Sequence, residues 1–162
     1  PAYGADIVVS CEKEKDPKNG SIYLKPTQFV LGIGCRRDTA FENIDRAIRQ
    51  SLLKLQIDIS DIDMIASIDV KKDEPGIKEF CERNRIDFVT YTADELMAVQ
   101  GEFSASQFVR ERVGVDNVCE RAAVLACSRE CNKAGKLVYK KHKYDSVTVA
   151  AARLYKISRD GD

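Results

Sequence analysis

The sequence predicts an α/β protein: a three-layer α/β/α sandwich around a mixed, mainly parallel sheet that closes in a C-terminal β-hairpin. Three observations carry this expectation. At 162 residues the chain fits a single ordinary domain built on one core. From Gln28 onward, short β-branched apolar runs alternate with segments of helical periodicity, the pattern of successive βαβ units. The last stretch, KLVYKKHKYDSVTVAAARLYK, reads as two strands around Tyr144 and Asp145 with no helix between them, so they pair antiparallel.

The elements follow in order. Residues 1–27 are rich in Gly, Pro, Lys and Glu and are read as a connector, the tail of a further N-terminal region. Short strands are expected at Ile7–Ser10 and Ile22–Leu24, with DPKNG between them as turn chemistry. The domain proper is 28–162. FVLGI is its first strand, and AFENIDRAIRQSLLKL places Phe41, Ile44, Ile48, Leu52 and Leu55 at helical spacing. Thr39 followed by Glu42 predicts a capping box and a helix start at Ala40. MIASI at 64–68 is a buried strand, and EPGIKEFCERN is a helix with Pro75 in its first turn. DFVTY forms another strand. Thr92 and Glu95 predict a second capping box before DELMAVQ, with Gly101 stopping that helix. SASQFVRERVG is a further short helix ended by Gly114, and DNVCERAAVLACSREC is a small-residue-rich helix suited to close packing on a sheet.

Composition excludes several functions. Lys and Arg total 26, as do Asp and Glu, so no overall field favours a polyanion and no nucleic-acid partner is expected. No apolar stretch approaches the ~18 residues of a membrane span, so no membrane insertion is expected. The basic C-terminal stretch sets Lys136, Lys140, Lys141, Lys143, Arg153, Lys156 and Arg159 against Asp145, as in a solvated edge hairpin protected by lysine. The 6 cysteines are irregularly spaced and no secretory signal precedes them, which points to reduced thiols in the cytoplasm. Cys127 and Cys131 share a helix face but lack a second pair, so no metal site is expected. With His142 as the lone histidine and no GxSxG, a Ser-His-Asp or Cys-His apparatus is not expected.

In α/β folds, ligands sit beyond the carboxyl ends of strands. Three segments fall there. In GIGCRRDT, Gly32 and Gly34 permit close backbone approach, the helix N-terminus attracts anions, and Arg36 and Arg37 offer forks for carboxylate or phosphate. A tight turn with solvated arginines fits equally well. The segment is not a dinucleotide fingerprint, because the third glycine of GxGxxG falls at Arg37, and GK[ST] of a P-loop is missing. In SIDVKKDEPG, the charges of Lys71, Lys72, Asp73 and Glu74 either neutralise one another or bind an acid group and move a proton. In GEFSASQFVRERVGVDNVCE, Ser104 and Ser106 suit helix caps and Glu120 suits the first turn of the next helix.

Taken in order, LGIGCRRDT, ASIDVKKDEPG, the SxSxFVxERVGVxxVCE pattern from Ser104 to Glu120, and the KLVYKKHKYDSVTVAAAR tail resemble the C-terminal domain of the CbiG family and its stand-alone relatives, the CobE family. The resemblance spans Gln28 to Leu154. It implies a role in cobalamin biosynthesis, a branch of porphyrin metabolism. CbiG is the cobalt-precorrin-5A hydrolase, which opens a δ-lactone on the cobalt-bearing macrocycle and expels a two-carbon unit as acetaldehyde. The implied partners are a corrinoid intermediate and other enzymes of the pathway, with cobalt carried by the substrate and no cofactor of the protein's own. Positions carried over as substrate contacts are Gly32, Gly34, Cys35, Arg36, Arg37, Thr39, Lys72, Ser104, Lys140 and Thr148. Asp73, Pro75, Phe108, Gly114 and Ala123 also match the motifs. The acetate and propionate arms of such a macrocycle suit arginine forks, so the GIGCRRDT turn is expected to be an anion cradle. Glu74 or Glu120 would assist water attack or carbon–carbon cleavage, and Lys71 or Lys72 would stabilise the developing oxyanion. A CobE-like module that binds or chaperones the intermediate without catalysis is the alternative.

Overall fold

The computed structural model describes residues 7–9, 22–24, 28–104, 114–115, 117–131 and 135–154. Strands β1 (Ile7–Val9) and β2 (Ile22–Leu24) pair in parallel. Parallel strands are not the arms of a tight hairpin; the DPKNG turn lies outside the described residues. The main sheet contains β3 (Gln28–Cys35), β4 (Ile62–Ile68), β5 (Asp87–Tyr91), β6 (Lys136–Tyr144) and β7 (Val147–Leu154), in the order β5-β4-β3-β7-β6. β3, β4 and β5 run parallel, whereas β7 is antiparallel to β3 and to β6. This is the predicted mixed sheet, with the lysine-bearing strand β6 at its edge.

Helices cover both faces because the strands are apolar on both sides. Along β3, Leu31 and Ile33 face one core and Val30 the other, the period-two alternation of a strand. The first core receives Ile44 and Ile48 from α1 (Phe41–Leu55) and Ile77 and Phe80 from α2 (Pro75–Asn84). The second receives Leu96 from α3 (Ala93–Met97) and Ala122, Ala123 and Ala126 from α4 (Val118–Cys131). Each fully buried Leu, Ile or Phe contributes about 1.5–3 kcal/mol, so the larger side chains of the first core dominate the stability of the sandwich. Of the helix predicted over SASQFVRERVG at 104–114, residues 105–113 lie outside the described residues.

The local signals fared unevenly. Pro75 occupies the first turn of α2 as predicted. Thr92 and Glu95 form their capping box, with Glu95 N–H donating to Thr92 Oγ1 at 3.2 Å and Thr92 N–H to Glu95 Oε2 at 2.8 Å. Thr39 and Glu42 do not form one, and α1 begins at Phe41 with Ala40 as an N-cap that makes no side-chain bond. The Thr39 hydroxyl instead donates to Arg36 O at 2.7 Å and closes the preceding turn. α3 stops at Ala98 rather than Gly101, because the Arg121 guanidinium reaches over from α4 to donate to Leu96 O at 3.3 Å and Val99 O at 3.0 Å.

Gly32 and Gly34 both lie inside β3, not in the turn that follows; the left-handed residue of that turn is Asp38, with φ 58. Gly32 is glycine because α4 lies directly against the strand. An ideal Cβ there would overlap the Cys119 carbonyl oxygen and stand 2.7 Å from the carbonyl carbon and 3.0 Å from Ala123 N. Ala122, Ala123 and Ala126 on the helix and Ala66 and Ala152 on the sheet complete this close approach. The predicted small-residue helix packs as its composition suggested.

Candidate functional site: two clusters at the strand ends

On the α1/α2 face, the cluster begins at Cys35, the last residue of β3. Arg36 N–H donates to Ser146 O at 3.1 Å, fastening the 36–39 turn to the β6–β7 hairpin. Beyond β4, residues Asp69–Lys71 make a single 3-10 turn and Glu74 is the N-cap residue of α2. Gly76 lets α2 start hard against the 39–41 segment, since a Cβ there would come 2.5 Å from Thr39 O. Glu74 is thereby buried. Its Oε2 lies 3.6 Å from Lys71 Nζ, with side chains 15% and 6% exposed for Lys71 and Glu74. Its Oε1 is buried without a hydrogen-bond partner among the described residues. A buried carboxylate with one loose ion pair is costly. Burial pushes the neighbouring Cys35 thiol up to about 11, with the Lys71 charge opposing, Glu74 adding and a Thr39 hydrogen bond opposing. Cys35 is therefore a neutral thiol near pH 7 and no thiolate nucleophile.

The α4 face carries the second cluster. Glu120 is fully buried. Its Oε2 accepts from Ser104 N–H at 3.2 Å and Asn117 Nδ2 at 2.9 Å, and its Oε1 from Ser104 Oγ at 2.8 Å and Lys141 N–H at 3.2 Å. Asn117 Oδ1 in turn accepts from Glu120 N–H at 3.0 Å, capping α4. One carboxylate thus ties the 104 segment, the start of α4 and the edge strand β6 together. Next to it, burial raises the Cys119 thiol to about 12 against an opposing hydrogen bond with Thr148, and Thr148 Oγ1 donates to Gly34 O at 3.3 Å.

The expected residues therefore do not share one mouth. Cys35, Thr39, Lys71 and Glu74 gather on the α1/α2 side of the sheet, and Gly34, Ser104, Glu120 and Thr148 gather on the α4 side. Arg36, Arg37 and Lys72 are exposed beyond the strand ends, and Lys140 is exposed on the edge strand. The glycines of the expected anion cradle are occupied by protein: α4 fills the space over Gly32, and Thr148 Oγ1 lies 2.6 Å from where a Gly34 Cβ would be. Glu120 has both carboxylate oxygens taken up by four protein donors, so it ties neighbouring elements together. A hollow of about 240 Å³ at this end is lined by Asn43, Arg46, Ala47, Gln50, Lys143, Tyr144 and Asp145, none of them singled out as a binding residue from sequence. Asn43, Arg46 and Gln50 follow helical spacing as a polar stripe beside the apolar one, a pattern that groups them on one face of α1 but does not reveal the hairpin that walls the hollow. Among the described residues, no His, Cys, Asp and Glu side chains group so as to hold a metal ion, and no helix is long and apolar enough to cross a membrane.

A family model described as Cobalamin synthesis G C-terminus matches residues 29–152. The chain belongs to that family. Among cobalamin synthesis G relatives, it is 38% identical over 102 residues to the cobalt-precorrin-5A hydrolase of Salmonella typhimurium strain LT2, covering 63% of this chain and 29% of that protein. It is 30% identical over 141 residues to the cobalt-precorrin-5A hydrolase of Priestia megaterium, covering 87% of this chain and 36% of that protein. The chain thus spans about a third of the length of these relatives. Its fold is similar to the crystal structure of CobE, a protein from the cobalamin (vitamin B12) biosynthetic pathway, with a TM-score of 0.75 and 26% identity over 81% of this chain and 93% of that one.

Proposed function

We propose that this chain is the corrinoid-binding domain of a cobalt-precorrin-5A hydrolase and carries part of the chemistry that opens the δ-lactone, with loss of a two-carbon unit as acetaldehyde. The single observation that supports this beyond family membership is the Lys71–Glu74 pair at the carboxyl end of β4, where a buried carboxylate keeps one oxygen without a partner. Lys71 is the outer member and meets the substrate; Glu74 lies behind it and positions it. As the lactone carbonyl is attacked by water, negative charge builds on its oxygen, and a preorganised ammonium in a poorly hydrated site stabilises that charge far better than water does. Arg36 and Arg37, exposed on the adjacent turn, receive carboxylate arms of the macrocycle. Cobalt enters with the substrate, and the free thiols Cys35, Cys81 and Cys119 support a cytoplasmic setting.

The test is to incubate cobalt-precorrin-5A with this chain and with a longer hydrolase that contains it, and to assay acetaldehyde. In the active form, Lys71→Ala should lower turnover by about 10²–10³, the loss typical of one preorganised donor; unchanged turnover refutes the assignment. A second reading, a non-catalytic CobE-like module that holds the intermediate for other pathway enzymes, is favoured by the structural likeness to CobE, with a TM-score of 0.75 at 26% identity. Tight binding by the isolated chain without acetaldehyde release would support it.

A further inference from the structure

The hollow between α1 and the β6–β7 hairpin contains unpaired polar groups facing one space. Arg46 and Lys143 have no ion pair among the described residues, and the Asn43 and Gln50 amides make no hydrogen bond there, although all four line it with Tyr144. The Tyr144 hydroxyl is held from behind: it lies 2.6 Å from the Tyr139 hydroxyl, receives a 3.4 Å contact from Ser51 Oγ, and its ring sits 5.3 Å from Lys54 Nζ. Burial alone would raise this phenol, but the bonds with Ser51 and Tyr139 and the Lys54 charge outweigh it and hold it below its ordinary value, which makes it a better proton donor to an anion. Asp145 contributes the one negative charge of the lining, against two cations in the wall and a third behind Tyr144. This preponderance of unpaired donors and positive charge selects a carboxylate.

Size narrows the guest. About 240 Å³ is below the roughly 300–1,000 Å³ of sites that enclose a drug-sized molecule, so the hollow takes a side arm rather than a macrocycle. Its position fits this. Asp145 lines it, and the next residue, Ser146, accepts from Arg36 N–H at 3.1 Å and lies 3.5 Å from Thr39 Oγ1 through its own hydroxyl. The hollow therefore adjoins the 36–39 turn beside the Lys71–Glu74 pair. We propose that it is the subsite for one acetate or propionate arm of the corrinoid, held by Arg46, Lys143 and the Tyr144 hydroxyl, an inference that rests on the corrinoid-binding reading above.

Two titrations separate the inference from that reading. With sodium propionate as probe, followed by ¹H–¹⁵N NMR, the amides of residues 143–146 should shift, and neutral propionamide should leave them unmoved; absence of a propionate-specific shift overturns the subsite. With uroporphyrin, a flat tetrapyrrole bearing acetate and propionate arms, the Arg46→Ala/Lys143→Ala variant should bind at least tenfold more weakly than the parent, and Tyr144→Phe more weakly by a smaller factor. Both cations are exposed at the surface, so the double variant should keep the parent's circular dichroism. Propionate shifts with undiminished uroporphyrin affinity overturn the arm subsite and leave the corrinoid reading intact. Failure of the parent chain to bind the tetrapyrrole at all overturns both.

Discussion

Gly32→Ala is the sharpest test of how the two layers meet. The added Cβ would overlap the Cys119 carbonyl oxygen and lie 2.7 Å from the carbonyl carbon, whereas carbon–carbon contacts relax at about 3.5–4.0 Å. Both atoms belong to backbone, so no rotamer relieves the overlap and α4 must retreat by roughly 1 Å. A gap of that size forfeits a quarter to a half of each contact along the displaced face, which includes Ala122, Ala123, Ala126 and Cys127. Overpacking usually costs about 1–3 kcal/mol, occasionally more, and a rigid backbone on both sides places this case at about 3–4 kcal/mol. For a chain of this size that corresponds to a fall in Tm of roughly 6–16 °C. Gly34→Ala is the control: it meets only the Thr148 hydroxyl, which rotates away for the loss of its hydrogen bond to Gly34 O, about 1 kcal/mol. Urea unfolding followed by circular dichroism measures both. A Gly32→Ala protein within about 0.5 kcal/mol of the parent, an ordinary surface-scale effect, would refute the argument.

Other outcomes follow from the same geometry. Glu120→Ala leaves Ser104 N–H, Asn117 Nδ2 and Lys141 N–H short of an acceptor, so it should cost at least about 3 kcal/mol in urea unfolding. Glu120→Gln should recover little of this, because its amide turns a donor toward donors. Lys71→Ala should destabilise the fold by about 3–5 kcal/mol, because it strands the buried Glu74 charge. The Lys71→Met/Glu74→Leu pair, with no charge left behind, should lie nearer the parent, and double-mutant analysis will read the coupling. The thiols give a pH dependence: burial raises Cys35 to about 11 and Cys81 and Cys119 to about 12 from an unfolded value near 9. The folded state then holds protons that the unfolded chain has released. Stability from this source is complete below pH 9 and falls as pH rises through 11–12, which denaturation midpoints across that range will show.

The fold was legible because it is written in local patterns. DFVTY coincides with β5, Pro75 starts α2, and the Thr92–Glu95 box forms as expected, since each depends on residues a few positions apart. The readings that failed turned on hydrogen-bond partners that the local pattern does not single out. Thr39 had two uses for its hydroxyl, and closing the turn onto Arg36 O prevailed over capping α1. α3 ends early because Arg121, 25 residues beyond Leu96, takes its carbonyl. The glycines of GIGCRRDT suggested room for a ligand, and only the packing of α4 and Thr148 reveals what fills that room. Glu120 had the right spacing for a helix first turn, but its bonds to Ser104 and Lys141 lie 16 and 21 residues away, beyond any local pattern. The hollow at Tyr144 was illegible for a similar reason: its walls come from α1 and from a hairpin about a hundred residues later.

In the register of the central pair, Gln28 stands opposite Leu154, so polypeptide enters and leaves this unit through adjacent doors, at the pole opposite Cys35 and Val147. Whatever is spliced onto either side joins the sheet at the end away from Cys35 and Val147. A unit whose two ends are strand partners is open to appending, excision or circular permutation.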